Sequence, residues 1–240
     1  MTKTAPTGPD VPDWRPACRP EEKDMAGRHV NLERLGAAAH ATELHAAFAG
    51  RPDLWTYMGY GPFAAEDDYR RWIEGMEGQR DPCFYAIRDL SSGRAAGVAA
   101  FLRITPDHGT IEVGHICLSP ALQGTRAATE AMVLMMGWAF ANGYRRYEWK
   151  CDALNRPSRR AAERFGFSYE GTFRQHMVYK GRNRDTAWFA MTDGDWARLE
   201  PCFDRWLADG NFDAEGRQRD SLSALTRPVL VTTDPDRAAG

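Results

Sequence analysis

One stretch of the chain restricts its fold more than any other, because a strand, a loop and a long helix follow one another in it directly. The strand GTIEVGHICLSP ends at Pro120, and the helix TRAATEAMVLMMGWAFANG begins near Thr125 and stops at Asn142-Gly143. A loop that leads into a helix presents unpaired backbone amides and the positive end of the helix dipole. The junction therefore predicts an anion site, although small residues such as Gly124 could equally serve packing alone.

The common nucleotide-binding loops are absent from this junction. CLSPALQGTRAATEAM contains neither GxxxxGK[ST] nor a G-x-G-x-x-G that opens the helix. A Walker or Rossmann loop is thereby excluded as the source of the pattern.

Helix-like and strand-like segments alternate along the rest of the chain. Alternating and β-branched or aromatic runs predict strands at residues 29–35, 83–89, 93–104, 109–120, 144–151 and 167–191. Apolar residues at three- and four-residue spacing predict helices at residues 35–50, 65–78, 125–143 and 156–166. This order is typical of an α/β layer structure in a single domain.

Neither end of the chain shows the regular spacing of apolar residues that predicts a helix or a strand. Five prolines among charged residues fall within residues 1–25, so we expect a flexible N-terminal arm there. Residues 201–240, and above all those after Asp209, mix Gly, Asp, Arg and Pro with short apolar pieces, which predicts a C-terminal extension or tail. The folded domain is then expected to span residues 26–200.

Composition excludes several classes of partner. With 31 basic and 33 acidic residues the net charge is -2, which gives no overall attraction to nucleic acid or to acidic membranes. The chain shows no apolar run long enough for a signal peptide or a membrane span. Five scattered cysteines, without a C-x-x-C pair or an H-E-x-x-H motif, predict no metal site and favour a reducing cytoplasm.

Three segments in order carry a resemblance to a known family. QGTRAA, at residues 123–128, resembles the [RQ]-x-x-G-x-[GA] pyrophosphate loop of GNAT N-acetyltransferases, and IEVGHICLSP resembles the strand before it. LNRPSRRAAERFGF is similar to the N-x-x-S-x(4)-E-[KR]-x-G-F segment of the Rim-type (RimJ/RimL-like) branch, with matches at Asn155, Ser158, Glu163, Arg164, Gly166 and Phe167. The resemblance covers about residues 28 to 196, and the last segment is the most specific.

The resemblance implies a fold, a cofactor and the residues that hold it. The fold is a mixed sheet, flanked by helices, whose central strands splay apart to admit the pantetheine arm of acetyl-CoA. Backbone groups near Ile116, Cys117 and Leu118 would bond that arm, and Asn155 and Ser158 would reach it from the far side. The pyrophosphate would lie on the loop formed by Gln123, Gly124, Thr125, Arg126, Ala127 and Ala128.

The sequence also departs from the family pattern in two places. Arg126 replaces the second glycine of the loop, which adds bulk together with a cation for a phosphate oxygen. Ala162 stands where many members carry a tyrosine that protonates the leaving thiolate. If a side-chain acid is needed, Ser158 is the nearest candidate, although it could equally satisfy helix amides, as Asn155 could act as an N-cap.

Transfer to an amine needs a base, since an alkyl amine with a pKa near ~10.4 is protonated at neutral pH. Glu112 lies in an otherwise apolar strand, where a carboxylate is costly to bury unless it is paired or has a task. It is therefore the candidate base, the alternative being a solvent-facing residue. By alternation His115 falls on the opposite face, as a packed or surface histidine.

The acceptor site is predicted in an aromatic loop, WTYMGYGPF. In the family this region roofs the acceptor, which makes Trp55, Tyr57 and Tyr60 candidate substrate-binding residues. The alternative is a loop pinned to the core by its rings.

The predicted reaction is a direct attack of a primary amine on acetyl-CoA in a ternary complex. A backbone amide near Leu118 would polarise the thioester carbonyl, and Cys117 and Cys151 are then structural thiols. The acceptor is a small-molecule or peptide amine, and a homodimer is compatible with the sequence. The alternative, raised by Ala162 and Arg126, is a non-catalytic acyl-CoA-binding or sensing module of the same fold.

Overall fold

The computed structural model describes residues 5–21 and 23–238. The strands within these residues are β1 (Met25–Ala26), β2 (Val30–Arg34), β3 (Cys83–Asp89), β4 (Arg94–Thr105), β5 (Thr110–Leu118), β6 (Arg146–Asp152), β7 (Ser168–Tyr179) and β8 (Arg182–Thr192). The α-helices are α1 (Ala37–Phe48), α2 (Glu66–Met76), α3 (Arg126–Ala141), α4 (Arg156–Arg164), α5 (Asp193–Leu207) and α6 (Leu222–Thr226). None of these helices is long and apolar enough to span a membrane.

The strands form one eight-stranded sheet in the order β1-β2-β3-β4-β5-β6-β8-β7. All neighbours are antiparallel except β5 and β6, which run parallel in the middle of the sheet. Helices α1 and α2 pack on one face, and α3, α5 and α6 pack together on the other, so each face has its own apolar core. The predicted α/β mixed sheet in one domain is confirmed.

Strands β5 and β6 separate halfway along their length. Their pairing covers only Thr110–Val113 and Arg146–Trp149, although both strands continue beyond it. At the point of separation β5 carries a bulge, because His115 and Ile116 together oppose Ala99 of β4 and His115 has a φ of 52°. A bulge bends its strand and increases the local twist. The result is the predicted splayed sheet, with a V-shaped gap between the two central strands.

The hairpin of β7 and β8 extends past the end of β6. Its two-residue turn, Lys180-Gly181, has φ values of 48° and 70°, as in a type I′ turn. The hydroxyl of Tyr179 donates to Asp152 Oδ2 at 2.7 Å, and Lys180 Nζ donates to the carbonyl oxygen of Trp55 at 2.8 Å. These contacts bring the hairpin tip against the aromatic loop, over the open end of the gap.

The predicted boundary at residue 201 is wrong, because it falls inside α5. Trp196, Leu199, Phe203 and Trp206 are buried at helical spacing, a period that the proline at position 201 and the charged residues between them obscured. Farther on, Asp234 is buried against α4. Its carboxylate forms a bidentate ion pair with Arg159, and its amide donates to Glu163 Oε1 at 2.7 Å. The segment after α5 is therefore docked on the domain through its buried residues, which are Asn211, Leu222, Thr226, Val229 and Asp234.

The predicted N-terminal arm contains no helix or strand within residues 5–21, but it is partly docked. The Trp14 indole donates to the Asp107 carbonyl at 3.1 Å, and the Cys18 amide donates to the Asn142 carbonyl at 2.9 Å. Met25, the last residue of the predicted arm, already belongs to β1, and residues 1–4 and 22 lie outside the described residues. Flexibility of the arm remains a prediction.

Candidate active site

A cleft of about 1220 Å³ occupies the gap between β5 and β6. One end reaches the start of α3, and the other lies under the aromatic loop and the β7–β8 hairpin. All the predicted site residues except Ala127 and Trp55, which are buried outside the lining, line this cleft. They are Glu112, Ile116, Cys117, Leu118, Gln123, Gly124, Thr125, Arg126, Ala128, Asn155, Ser158, Tyr57 and Tyr60.

The α3 end of the cleft presents backbone amides. Thr125 is the N-cap of α3, and its hydroxyl accepts from the Ala128 amide at 3.1 Å. Among the described residues, the amides of Gly124, Arg126 and Ala127 donate to no protein acceptor. Gly124 has a φ of 74°, which a residue with a Cβ adopts only under strain. Free amides at the positive end of a helix make this a site for a phosphate or a similar anion.

The Arg126 side chain already has protein partners at this end. Its Nη1 lies 3.1 Å from Asp209 Oδ1, and its guanidinium stacks 3.7 Å from the centre of the Phe212 ring. Both partners belong to the segment after α5, which the sequence analysis took for a tail. A phosphate at the loop would have to share Arg126 with Asp209.

The free edge of β5 supplies backbone groups to the gap. The Ser119 amide donates to the Ala96 carbonyl of the neighbouring chain segment at 2.9 Å. Because the hydrogen bonds of an antiparallel ladder alternate, Leu118 directs its N–H and C=O to the other side, toward β6. The Leu118 carbonyl accepts from Gln123 Nε2 at 2.9 Å. The Leu118 amide thus points toward the gap between β5 and β6.

The start of α4 forms the opposite wall. The Asn155 side chain caps the helix by accepting from the Ser158 amide at 3.2 Å, which confirms its capping role. The Ser158 hydroxyl accepts from the Trp149 indole at 3.0 Å. That bond fixes the Ser158 oxygen, and the Ser158 hydroxyl also interacts with the Cys151 thiol, which lowers the pKa of that thiol against the effect of burial.

Glu112 is buried, so the alternative of a solvent-facing residue is wrong. It is 3% exposed, and its Oε2 contacts Arg103 Nη1 at 2.7 Å and Lys150 Nζ at 2.9 Å. Lys150 in turn contacts Glu148 at 2.7 Å. Both cations use the same oxygen, which leaves Oε1 without a protein partner among the described residues. Burial raises the pKa of Glu112 above its ordinary value, against the two cations, which lower it.

His115 lines the same cleft as Glu112, which corrects its predicted placement on the opposite face. Side chains of β5 alternate between the two faces of the sheet up to Gly114, but the bulge interrupts this alternation. The face of a side chain after Gly114 therefore cannot be found by counting residues from Glu112. His115 Nδ1 lies 3.1 Å from the Tyr60 hydroxyl. Burial lowers the pKa of His115 to about 4, so the ring is neutral at physiological pH.

The aromatic loop divides between the cleft and the core. Tyr57 donates its hydroxyl to the Leu154 carbonyl at 3.1 Å across the cleft, and Tyr60 stacks on Trp72 with ring centres 4.4 Å apart. Trp55, in contrast, is 4% exposed and lies outside the cleft lining, packed between Phe48 and other rings. Its predicted role in substrate binding is wrong, and for this side chain the alternative of a core anchor holds.

The two cysteines beside the gap are poor nucleophiles. Burial raises the pKa of Cys117 to about 12 and that of Cys151 to about 11. Both groups are therefore neutral thiols at physiological pH, and the thiolate is the reactive form.

Several cleft residues escaped the sequence analysis. Arg103, Lys150, Asp152, His176 and Arg184 all line the cleft. On β6, Lys150 and Asp152 alternate with buried Trp149 and Cys151. This two-residue alternation could have predicted that Lys150 and Asp152 share one face of the strand. Arg103 and Arg184 are brought in by the bulged sheet and the long hairpin, which the local sequence does not specify.

Comparisons with known proteins decide the family. Residues 29–168, more than half of the chain, match the family model described as Acetyltransferase (GNAT) domain. The chain belongs to this GNAT family. Its fold class and its standing as an acetyltransferase follow from that membership. The splayed sheet and the cleft described above are thus the frame of a GNAT acetyltransferase.

Two solved structures and one further relative resemble most of the chain. A GCN5-related N-acetyltransferase from Brucella melitensis is 44% identical, with a TM-score of 0.88 over 90% of this chain and 100% of its own. A probable acetyltransferase from Chromobacterium violaceum is 43% identical, with a TM-score of 0.76 over 82% and 100%. An uncharacterized N-acetyltransferase p20 from Bacillus licheniformis is 25% identical over 61% of this chain and 84% of its own length.

The Rim-type branch is a finer assignment within the GNAT family. RimL, a ribosomal L7/L12 alpha-N-protein acetyltransferase, is 22% identical, with a TM-score of 0.60 over 71% of this chain and 94% of its own. A likeness at this level shows the shared fold alone. The branch therefore remains a prediction from the segment at Asn155 to Phe167.

Proposed function

We propose that this GNAT acetyltransferase moves an acetyl group from acetyl-CoA to a primary amine while both are bound in the cleft. One observation carries the proposal: a single gap joins free amides at the start of α3 to the buried carboxylate of Glu112. An anionic cofactor fits the first end, and an amine that must lose a proton fits the second.

The residues at the α3 end suit acetyl-CoA, whose contribution when bound is an acetyl group activated as a thioester. The amides of Gly124, Arg126 and Ala127 would hold its pyrophosphate, with Gln123, Thr125 and Ala128 shaping the loop. The free edge of β5 at Ile116, Cys117 and Leu118 would bond the pantetheine arm. Asn155 and Ser158 would close the site from α4.

Glu112 is the proposed base. Its Oε2 is held by Arg103 and Lys150, which orients the carboxylate, while Oε1 keeps its lone pairs for the proton of the amine or of a bridging water. Burial raises the pKa of Glu112 and so strengthens it as a base. The Leu118 amide would polarise the thioester carbonyl, and the Ser158 hydroxyl would pass a proton to the departing sulfur while it regains one from water.

Direct transfer is favoured over a covalent enzyme intermediate. Cys117 and Cys151 are the thiols at the gap, and their raised pKa values keep them protonated. The amine must then attack the thioester itself, with both substrates held together. The non-catalytic alternative would leave the raised pKa of Glu112 without a use.

The finer features of the proposal rest on the sequence. The motif from Asn155 to Phe167 supports the Rim-type branch. The five cysteines are all free thiols, in keeping with the proposed cytoplasmic location. A peptide or small-molecule amine as acceptor and a homodimer as assembly stay predictions.

Replacing Glu112 by glutamine tests the base. We expect E112Q to lose turnover by roughly 10² to 10⁴ while its affinity for CoA barely changes, because glutamine keeps the shape but accepts no proton. The deficit should shrink toward about pH 9 to 10, where neutral amine is supplied by the solution. Steady-state kinetics across pH and calorimetry with CoA measure the two effects.

Glu148→Gln is the matched control. Glu148 is an acid that also pairs with Lys150, but it does not line the cleft. E148Q should therefore retain most of the turnover at neutral pH. Normal turnover of E112Q at every pH would show that Glu112 is not the base. An equal loss of turnover in E112Q and E148Q would also contradict this role.

A further inference from the structure

The acceptor end of the cleft is enclosed by two segments that touch across it. Tyr57 of the aromatic loop reaches the Leu154 carbonyl after β6, and Lys180 of the hairpin turn reaches the Trp55 carbonyl. Arg184, just after that turn, lines the cleft beneath this roof. A ligand that approaches Glu112 from this end therefore passes Arg184.

Most charged groups at this end have an ion-pair or hydrogen-bond partner in the protein. Arg51 forms a bidentate pair with Asp53 at 2.9 and 2.7 Å. Arg103 and Lys150 pair with Glu112, as described above. Asp152, the remaining acid, accepts from the Tyr179 hydroxyl at 2.7 Å and from the Leu154 amide at 2.8 Å.

Arg184 is the exception among these groups. Its guanidinium forms no ion pair with any carboxylate of the described residues, and its nearest ring, Tyr179, is centred 5.7 Å away. Its Nε is buried and has no hydrogen-bond partner there. A buried donor without an acceptor destabilises the folded protein, so a ligand that supplies the acceptor is favoured at this point of the cleft.

The direction of Arg184 follows from the sheet register. Lys150 and Asp152 pair with Trp188 and Thr186 of β8, and Arg184 continues the same alternation. It therefore shares the face of the sheet that carries Lys150, the partner of Glu112. Four residues of β8, about 13 Å of strand, separate Arg184 from the level of Lys150.

We propose that the acceptor amine also carries an anionic oxyacid group, a carboxylate or a phosphate, which Arg184 binds. A guanidinium presents a planar fork of donors that matches both groups. The separation along β8 places the amine and the anion at opposite ends of the acceptor. This inference rests on the proposed function, since it assumes that the amine is presented to Glu112.

Matched pairs of acceptors test the proposal in the full-length protein. One pair is an ω-amino carboxylate and its methyl ester, and the other is an aminoalkyl phosphate and the corresponding amino alcohol. For wild-type protein we expect the KM of at least one anionic member to be tenfold or more below that of its neutral partner. The pair with the larger ratio identifies carboxylate or phosphate as the group recognised.

The variant R184Q should abolish that preference. We expect its KM for the anionic acceptor to rise about tenfold or more, with kcat and the KM of the neutral partner nearly unchanged. Arg182→Gln is the control, since Arg182 lies on the same strand, is exposed and does not line the cleft. R182Q should keep the wild-type ratio.

Two kinetic results would overturn the proposal. The first is equal KM values within both pairs for wild-type protein, and the second is an R184Q variant that still prefers the anion. If no amine is acetylated, the proposed function fails, but calorimetry with CoA-loaded protein still decides about Arg184. The ω-amino carboxylate or the aminoalkyl phosphate should then bind wild-type protein at least tenfold more tightly than R184Q, and equal binding would refute the role of Arg184.

Discussion

At the scale of single residues, burial sets the protonation of the groups in the cleft. Glu112 and His115 stand on the same strand, and removal from water disfavours the charged form of each. The effect raises the pKa of the acid and lowers that of the imidazole. Glu112 thereby becomes a stronger base, and His115 stays neutral beside Tyr60.

Because of His115, the free energy of unfolding should decrease as the pH falls. Its pKa is about 4 in the folded protein and near 6.5 when unfolded, so the unfolded chain binds the extra proton between these values. The stability is complete above about pH 6.5 and is lost as the pH falls toward 4. Between about pH 6.5 and 4, the free energy of unfolding of H115Q should therefore fall by roughly 2 to 3 kcal/mol less than that of wild type.

Urea unfolding near pH 7 and near pH 4 measures this difference. The control is H108Q, since His108 is exposed and lies outside the cleft. H108Q should follow the wild-type curve. If H115Q lost as much free energy of unfolding as wild type on acidification, burial of His115 would not control its proton.

At the scale of elements, the start of α3 and the bulge in β5 create the two ends of the site. The helix supplies free amides because its first turn has no preceding turn to bond. The bulge at His115 and Ile116 bends β5 away from β6 and opens the gap. Binding of the cofactor should therefore be sensitive to the loop that leads into α3.

Gly124→Ala tests that loop, with Gly50→Ala as its matched control. Both glycines have φ values near 70°, at 74° and 71°, and a Cβ would meet nothing within 4 Å at either. Each substitution should destabilise the fold by about 1 kcal/mol through backbone strain alone. Gly124 lines the cleft and Gly50 does not. G124A should weaken CoA binding about tenfold, and G50A should leave it unchanged.

Calorimetry with CoA and thermal unfolding separate the two effects. Equal affinity in G124A and wild type, at a matched loss of stability in both variants, would place the pyrophosphate elsewhere. A loss of affinity in G50A as well would show that general destabilisation is responsible.

The two ends of the cleft differ in how far sequence predicts them. The cofactor end depends on local features, the helix start at Thr125 and the cap at Asn155, and the sequence located both. The acceptor end depends on a bulge that reverses the side of His115 and on a hairpin that carries Arg184. The alternation of apolar residues does not predict the bulge, which depends on pairing between β4 and β5, and it does not predict how far the β7–β8 hairpin extends past β6.

At the scale of the whole molecule, the C-terminal segment belongs to the domain that carries the site. Arg159 lies on α4, the helix that begins with Asn155 and Ser158, and it is tied to buried Asp234. Phe212 packs on Arg126 at the cofactor end. The segment thus supports the cleft at two points, which a tail would not do.

Asp234→Ala should destabilise the protein by about 3 kcal/mol, because it leaves the Arg159 guanidinium buried without its main partner. Asp236→Ala is the control. Asp236 also contacts Arg159, at 2.8 Å, but its side chain is 63% exposed. Chemical denaturation should show a much smaller effect for D236A. Equal effects would mean that burial of the Arg159–Asp234 pair is unimportant.

The central claim is direct acetyl transfer in one cleft, and a single mass-spectrometric measurement tests it most directly. Purified protein is mixed with acetyl-CoA, first without any amine and then with a panel of primary amines. The masses of the protein and of the small molecules are measured in each mixture. Direct transfer predicts an unmodified protein throughout, and acetylated amine with an equal amount of free CoA only when amine is present. Acetylated protein formed before any amine is added, or acetyl-CoA left intact with every amine, would contradict it.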